Sequence, residues 1–203
     1  MSSVALTANT LSTAVAGTLE YDGITAYYTP LGTQRGVVPA EQFFALNAGL
    51  AGSQVLTAQG VFGVGVTLSA STVYEFELVF ALSRSAGTTS HTIAFGFGGT
   101  ATISTCGYII AVTPGPTTTS QALWGYNVAT ANSTTLTSAI TAATVNFVAI
   151  IKGTVSINAG GTFIPQYTLS AAPGGAYTTQ AGSYMKIKPI GVSGATVSVG
   201  TWA

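Results

Sequence analysis

Residues 73–82, "VYEFELVFAL", alternate without a break. Tyr74, Phe76, Leu78, Phe80 and Leu82 fall on one side of an extended chain, and Val73, Glu75, Glu77, Val79 and Ala81 on the other. A period of two suits a strand and defeats a helix, whose apolar stripe repeats every 3.6 residues. Large apolar side chains opposite a face with two glutamates describe a sheet with one buried and one wet side. "HTIAFGFGG" (91–99) repeats the pattern and gathers His91, Ile93, Phe95 and Phe97. Similar runs follow at 101–112, 144–158, 161–170 and 183–191, with Gly, Pro and Asn at the breaks. Gly98-Gly99 and Gly160-Gly161 read as turns between adjacent strands.

Many short strands with regular turn signals predict an all-β chain folded as an antiparallel β-sandwich of jelly-roll type. No fixed-period repeat points to a propeller or solenoid. Residues 17–203 read as a single sandwich domain, and the hydroxyl-rich residues 1–16 as an extended N-terminal arm that orders only against something else. One short helix is expected over "VVPAEQFFAL" (37–46), where Pro39 suits the first turn and Glu41 the helix N-terminus. The stretch 54–60 leaves room for one more helical turn.

The opening hairpin is read from "GTLEYDGITAYYTP" (17–30). Asp22-Gly23 suits a two-residue type I′ turn, which would pair Tyr21 with Ile24 and Leu19 with Ala26. Leu19, Tyr21, Ile24, Ala26 and Tyr28 then share one face, and Glu20, Thr25 and Tyr27 form a polar face opposite.

Charge narrows the possible partners. Lys+Arg 5 and Asp+Glu 5 in 203 residues make 5% charged, against about 25% in ordinary globular proteins. A neutral, hydroxyl-rich surface lacks the like-charge barrier that keeps monomers apart, so an obligate oligomer is expected. Arg35, Arg84, Lys152, Lys186 and Lys188 are scattered along the chain, with only Lys186 and Lys188 on one strand face. That pattern argues against nucleic acid as a partner. The longest strongly apolar stretch, "VNFVAII" (145–151), is far short of the roughly 20 residues of a membrane helix. "MSSVALTANTLSTAV" has neither the basic region nor the apolar block of a secretory signal, so synthesis in a reducing cytoplasm is expected. Cys106 is the single cysteine, which excludes an internal disulfide and reads as a small buried hydrophobe. With one His and one Cys, no zinc site of such ligands forms within one chain, and no cofactor fingerprint is present.

Candidate chemistry is sparse. Glu75 and Glu77 lie on one strand face at about 7 Å, from a rise of roughly 3.4 Å per residue, a spacing an inverting glycosidase uses. Their strand neighbours Val73 and Val79 offer no donors to tune them. His91, the sole imidazole, heads an apolar face and reads as structural. Trp124, Tyr126 and Asn127, after the breaker-rich loop 113–121, form the candidate contact set for a glycan or a subunit interface. No catalytic residue is assigned, and the chain is read as a non-enzyme.

Five segments carry a resemblance. "AGTLEYDGITAYYTP", "RGVVPAEQFFALN", "VGVTLSASTVYEFELVFALS", "PQYTLSAAPGGAYTTQAGSYMKIKPIG" and the final "VGTWA" resemble segments of structural proteins of tailed bacteriophages. The resemblance runs from about residue 11 onward and rests on the order and joint presence of the pieces. It implies a β-rich homotrimeric module on the virion exterior and supplies no catalytic residues. A long shaft and an attachment domain, usual in a tail fibre, are not seen in this sequence. The expectation is therefore a capsid decoration (cement) protein whose partners are its own copies and the major capsid protein. The alternative is a tail-fibre or tail-tip adhesin that binds host glycan, with tail proteins as partners.

Overall fold

The computed structural model describes residues 5–113 and 134–202, together with the main chain of 121–127. Three short strands open the chain: β1 (Leu19–Tyr21), β2 (Ala26–Tyr28) and β3 (Gly36–Val37). Four more follow: β4 (Gln42–Ala45), β5 (Leu50–Ala51), β6 (Gln59–Gly60) and β7 (Val66–Leu68). The long elements are β8 (Thr72–Arg84), β9 (Ile93–Gly98), β10 (Thr102–Val112) and β11 (Gln121–Asn127). After β12 (Thr134–Thr135) come β13 (Val145–Ala159) and β14 (Gly161–Leu169), then β15 (Thr178–Thr179) and β16 (Tyr184–Val192).

These strands form an antiparallel sandwich. An eight-stranded sheet runs β11-β10-β13-β8, and beyond β8 the place of the next strand is shared by β16 and β15, which carry β4 and β5 outside them. A second sheet runs β12-β9-β14, with β6 and β7 side by side along β14. Between the sheets lies one aromatic core. Phe76 packs on Phe97 and Phe163, and Phe80 on Phe95, while Phe97 and Phe163 stack at 4.2 Å between centroids. The alternation of 73–82 holds throughout: Tyr74, Phe76, Leu78, Phe80 and Leu82 are all buried.

The glycine pairs break the chain where the sequence says, but not as hairpin turns. β9 and β14 belong to one sheet, β10 and β13 to the other. Gly99 and Gly160 therefore mark corners at which the chain crosses between sheets. The two corners lock together: the Ala101 N–H donates to Thr162 O at 3.0 Å, and Thr100 and Thr162 exchange main-chain-to-hydroxyl bonds at 3.0 Å. A Cβ on Gly99, whose φ is +114°, would lie 2.1 Å from Thr162 O, so only glycine fits there.

The helix expected over 37–46 is absent. β3 and β4 occupy that stretch, and the described residues contain no helix. Met185 lies opposite Phe44 and Lys186 opposite Phe43 in the β16 ladder. Ladder bonds and the stacking of Phe43 on Tyr184 at 5.6 Å outweigh a local preference built on Pro39 and Glu41. No helical turn forms at 54–60 either; β6 lies there.

The first hairpin also departs from expectation. Tyr21 pairs with Ala26 and Leu19 with Tyr28, so the loop has four residues, 22–25. Asp22 Oδ1 accepts from the Ile24 and Thr25 N–H groups at 2.8 and 2.7 Å, a side-chain-closed turn that replaces the two-residue one. A register shift of two keeps the same faces. The polar face is the buried one: Tyr27 is 4% exposed, while Leu19 and Tyr28 are 52% and 46% exposed. β1, β2 and β3 form a separate sheet, and the arm packs on it. The Asn9 N–H donates to Tyr21 O at 3.0 Å, Ser12 donates twice to Glu20, and Arg35 bridges Glu20 and the Ser12 carbonyl.

Candidate functional site

The outward face of β8 gathers most of the chain's charge. Register places Glu77 between Lys152 of β13 and Lys186 of β16, and Glu75 between Thr154 and Lys188. Lys152 Nζ approaches Glu77 Oε2 to 2.7 Å, Lys186 Nζ lies 3.6 Å from Oε1, and Lys188 Nζ lies 3.2 Å from Glu75 Oε2. Tyr184 donates its hydroxyl to Glu77 Oε1 at 2.8 Å. With Glu41, the two glutamates and three lysines line a shallow cleft of about 320 Å³. Three lysines and three glutamates meet there, six of the chain's ten charged side chains. Lysines scattered in sequence are thus brought together by the ladder, and the donors missing along β8 come from across it.

This arrangement fixes charge. The Lys152 ammonium, then the Tyr184 hydroxyl, holds the Glu77 carboxyl below the usual range, and Glu77 in turn raises Lys152 and Tyr184. A glycosidase acid needs the opposite shift, a carboxyl kept protonated near neutrality. The cleft's electrostatics are those of a neutralised ladder.

His91 is buried and fully bonded. Its Nδ1–H donates to Thr89 O at 2.8 Å, since a carbonyl can only accept, and Nε2 accepts from the Tyr177 hydroxyl at 2.8 Å. Burial holds the imidazole below its ordinary value and pushes Tyr177 up to about 12. Arg84 lies 5.1 Å over the Tyr177 ring and donates to Pro173 O and Ala142 O. The group ties the segment before β9 to the β12–β13 and β14–β15 connections and leaves no imidazole nitrogen for a substrate. Cys106 is buried, with its thiol pushed up to about 12 by burial. Among the described residues no group of three or more His, Cys, Asp or Glu is placed to hold a metal ion, and no helix is long and apolar enough to cross a membrane.

Trp124, Tyr126 and Asn127 lie on β11, which among the described residues is an edge of the eight-stranded sheet, opposite Ile109, Gly107 and Cys106. Their side chains, and residues 114–120 of the preceding loop, lie outside the described residues.

Sequence reasoning missed two apolar surfaces. One is the outward face of the first sheet, where Leu19 stands opposite Tyr28. The other is a groove of about 380 Å³ walled by Phe43, Phe44, Phe62, Val64, Met185 and Ile187. A single signal could have flagged the groove: two adjacent phenylalanines cannot both face one core if their segment is a strand.

No family model matches the chain, and no curated protein matches it. Among solved structures, one described as "Structure of infectious bursal disease virus Gx strain" is similar at 9% identity and a TM-score of 0.21. The match covers 88% of this chain and 51% of that one, so this chain spans about half the length of its structural neighbour. A TM-score this low carries no argument.

Proposed function

We propose that the protein is a non-enzymatic structural component of a bacteriophage virion, a homotrimeric decoration protein that cements the head exterior. The observation that carries this reading is the first sheet, which turns Leu19 and Tyr28 outward and its charged and hydroxyl groups inward. Monomeric soluble proteins seldom leave a built apolar face to water, and such a face marks an association surface. The lysines and glutamates of the main sheet neutralise one another within the chain, which leaves uncharged surface for contacts with neighbours. The resemblance of its segments to phage structural proteins supplies the virion setting, and the pairing of Lys152 with Glu77 favours scaffold over catalysis. Labelling the protein on particles of the phage that encodes it tests the location. Signal over the head supports decoration, and signal on the tail moves the protein to the fibre or tail tip.

The tail-tip adhesin reading draws on one observation: Trp124 and Tyr126 lie on an edge strand. If Trp124→Ala abolishes adsorption of phage to its host while particles stay intact, that reading displaces cementing.

A further inference from the structure

Among the described residues β4 is an edge strand, bonded only to β16. The Leu46 N–H donates inward to Ser183 O at 2.9 Å, so antiparallel alternation turns the main-chain groups of Ala45 and Phe43 outward. Nothing among the described residues bonds to that side. Phe43 and Phe44 occupy opposite faces of the strand, yet both line the 380 Å³ groove, which therefore straddles the edge itself. Phe43 is 63% exposed. Natural sheets guard such edges with Lys, Pro or a bulge, and β4 carries none of them; the groove lining holds no charged side chain.

The chain also carries a matching segment. Ala5, Leu6, Thr7 and Ala8 are exposed and uncharged, and their main chain makes no hydrogen bond among the described residues. The first anchor is the Asn9 N–H on Tyr21 O, and residues 5–7 run beside β1, lining a cleft with Leu19, Glu20 and Tyr21 without a main-chain bond to it. In an extended form Leu6 projects from one face, with Ala5 and Thr7 on the other. The arm of this chain does not occupy this chain's groove.

We propose that the groove beside β4 receives residues 5–8 of a second copy as an added strand, with the Leu6 side chain seated among the phenylalanines. Main-chain bonds to the edge supply affinity and the apolar pocket supplies specificity, as in other strand additions. The absence of charge on either side favours another copy of this chain over a charged peptide. Arm and groove are different patches, so the contact is heterologous and closes a ring when the rotation permits, a geometry open to a trimer. This deepens the self-association part of the proposed function and is independent of any virion.

The test uses two full-length variants, Leu6→Cys and Val64→Cys, mixed and treated with a short bis-maleimide. Cys106 is buried and does not compete. A cross-linked band at twice the 20.4 kDa chain mass is expected, and Phe43→Lys in the Val64→Cys copy should reduce it at least tenfold. No band, or an equal band when the second thiol is at exposed Ser104, overturns the proposal. So does a double variant, Leu6→Cys with Val64→Cys, that consumes both thiols and stays monomeric, because the arm then closes on its own groove. Particle labelling decides the virion reading separately, so either can fail alone.

Discussion

Lys152 and Glu77 stand directly opposite each other on β13 and β8, with Nζ and Oε2 2.7 Å apart. Lys186 and Tyr184 approach the same carboxylate from β16. Because Glu77 titrates below its ordinary value in the fold, its contribution is present above the usual carboxylate range and disappears as pH falls through the folded value. Glu77→Gln should therefore lower the melting temperature at pH 7, by a stability loss of about 1 kcal/mol or less for an exposed pair. The difference from wild type should vanish in strong acid. Parallel thermal melts check this, and no glycan-cleaving activity should appear or be lost.

His91 works in the opposite limb of chemistry but with the same sign. Its folded value lies below the unfolded one, so the unfolded chain takes up the proton first and stability falls as pH drops below about 6.5. The groups that face it are the Thr89 carbonyl, the Tyr177 hydroxyl and the Arg84 charge. Urea midpoints should decline between pH 7 and pH 5, and His91→Gln should flatten that slope while lowering the midpoint overall.

Gly99 sits where the two sheet crossings meet. Gly99→Ala must relieve a 2.1 Å contact with Thr162 O and a φ of +114°. A loss of at least about 1–3 kcal/mol is expected from the strained backbone alone, read as a shift of the denaturation midpoint. Gly182→Ala is the comparison: its φ is +85° with open space around the new methyl, so it should cost less.

Phe163 lies fully buried against Phe97 and Phe76. Phe163→Ala should cost about 3–5 kcal/mol. Denaturant titration checks it, and a loss under 1 kcal/mol would mean that the sheets do not share this aromatic core.

Leu19 faces outward beside Tyr28, so Leu19→Lys should leave the fold's stability within about 0.5 kcal/mol. It should weaken self-association, seen by light scattering as a shift toward 20.4 kDa. A wild-type protein that stays monomeric at micromolar concentration would contradict the oligomer itself.

Much of the fold was legible because burial and strand period coincide. Over Tyr74–Leu82 of β8 and along β9 every second residue is large and apolar, and those residues form the core. Where decisions are made across strands, the sequence was silent. Lys152 and Lys186 lie far from Glu77 in the chain, so reading along β8 saw only Val73 and Val79. Phe43 and Phe44 looked helical because the partner that makes them a strand, β16, lies about 140 residues later by sequence number. The hairpin faces were assigned correctly, but which of them is buried is decided away from the hairpin, where the Glu20–Arg35 bridge with its Ser12 cover makes the polar side the buried one.

The place of β16 beside β8 has a consequence for how the chain reaches its native state. Tyr184 and Glu77 are separated by 107 residues, and the intervening chain crosses between layers before they meet. Long-range pairing of this kind gives a high contact order and slow folding. A nascent chain emerging from the ribosome would hold one flank of β8 unpaired until β16 arrives, which makes that interval the time when misassembly is decided.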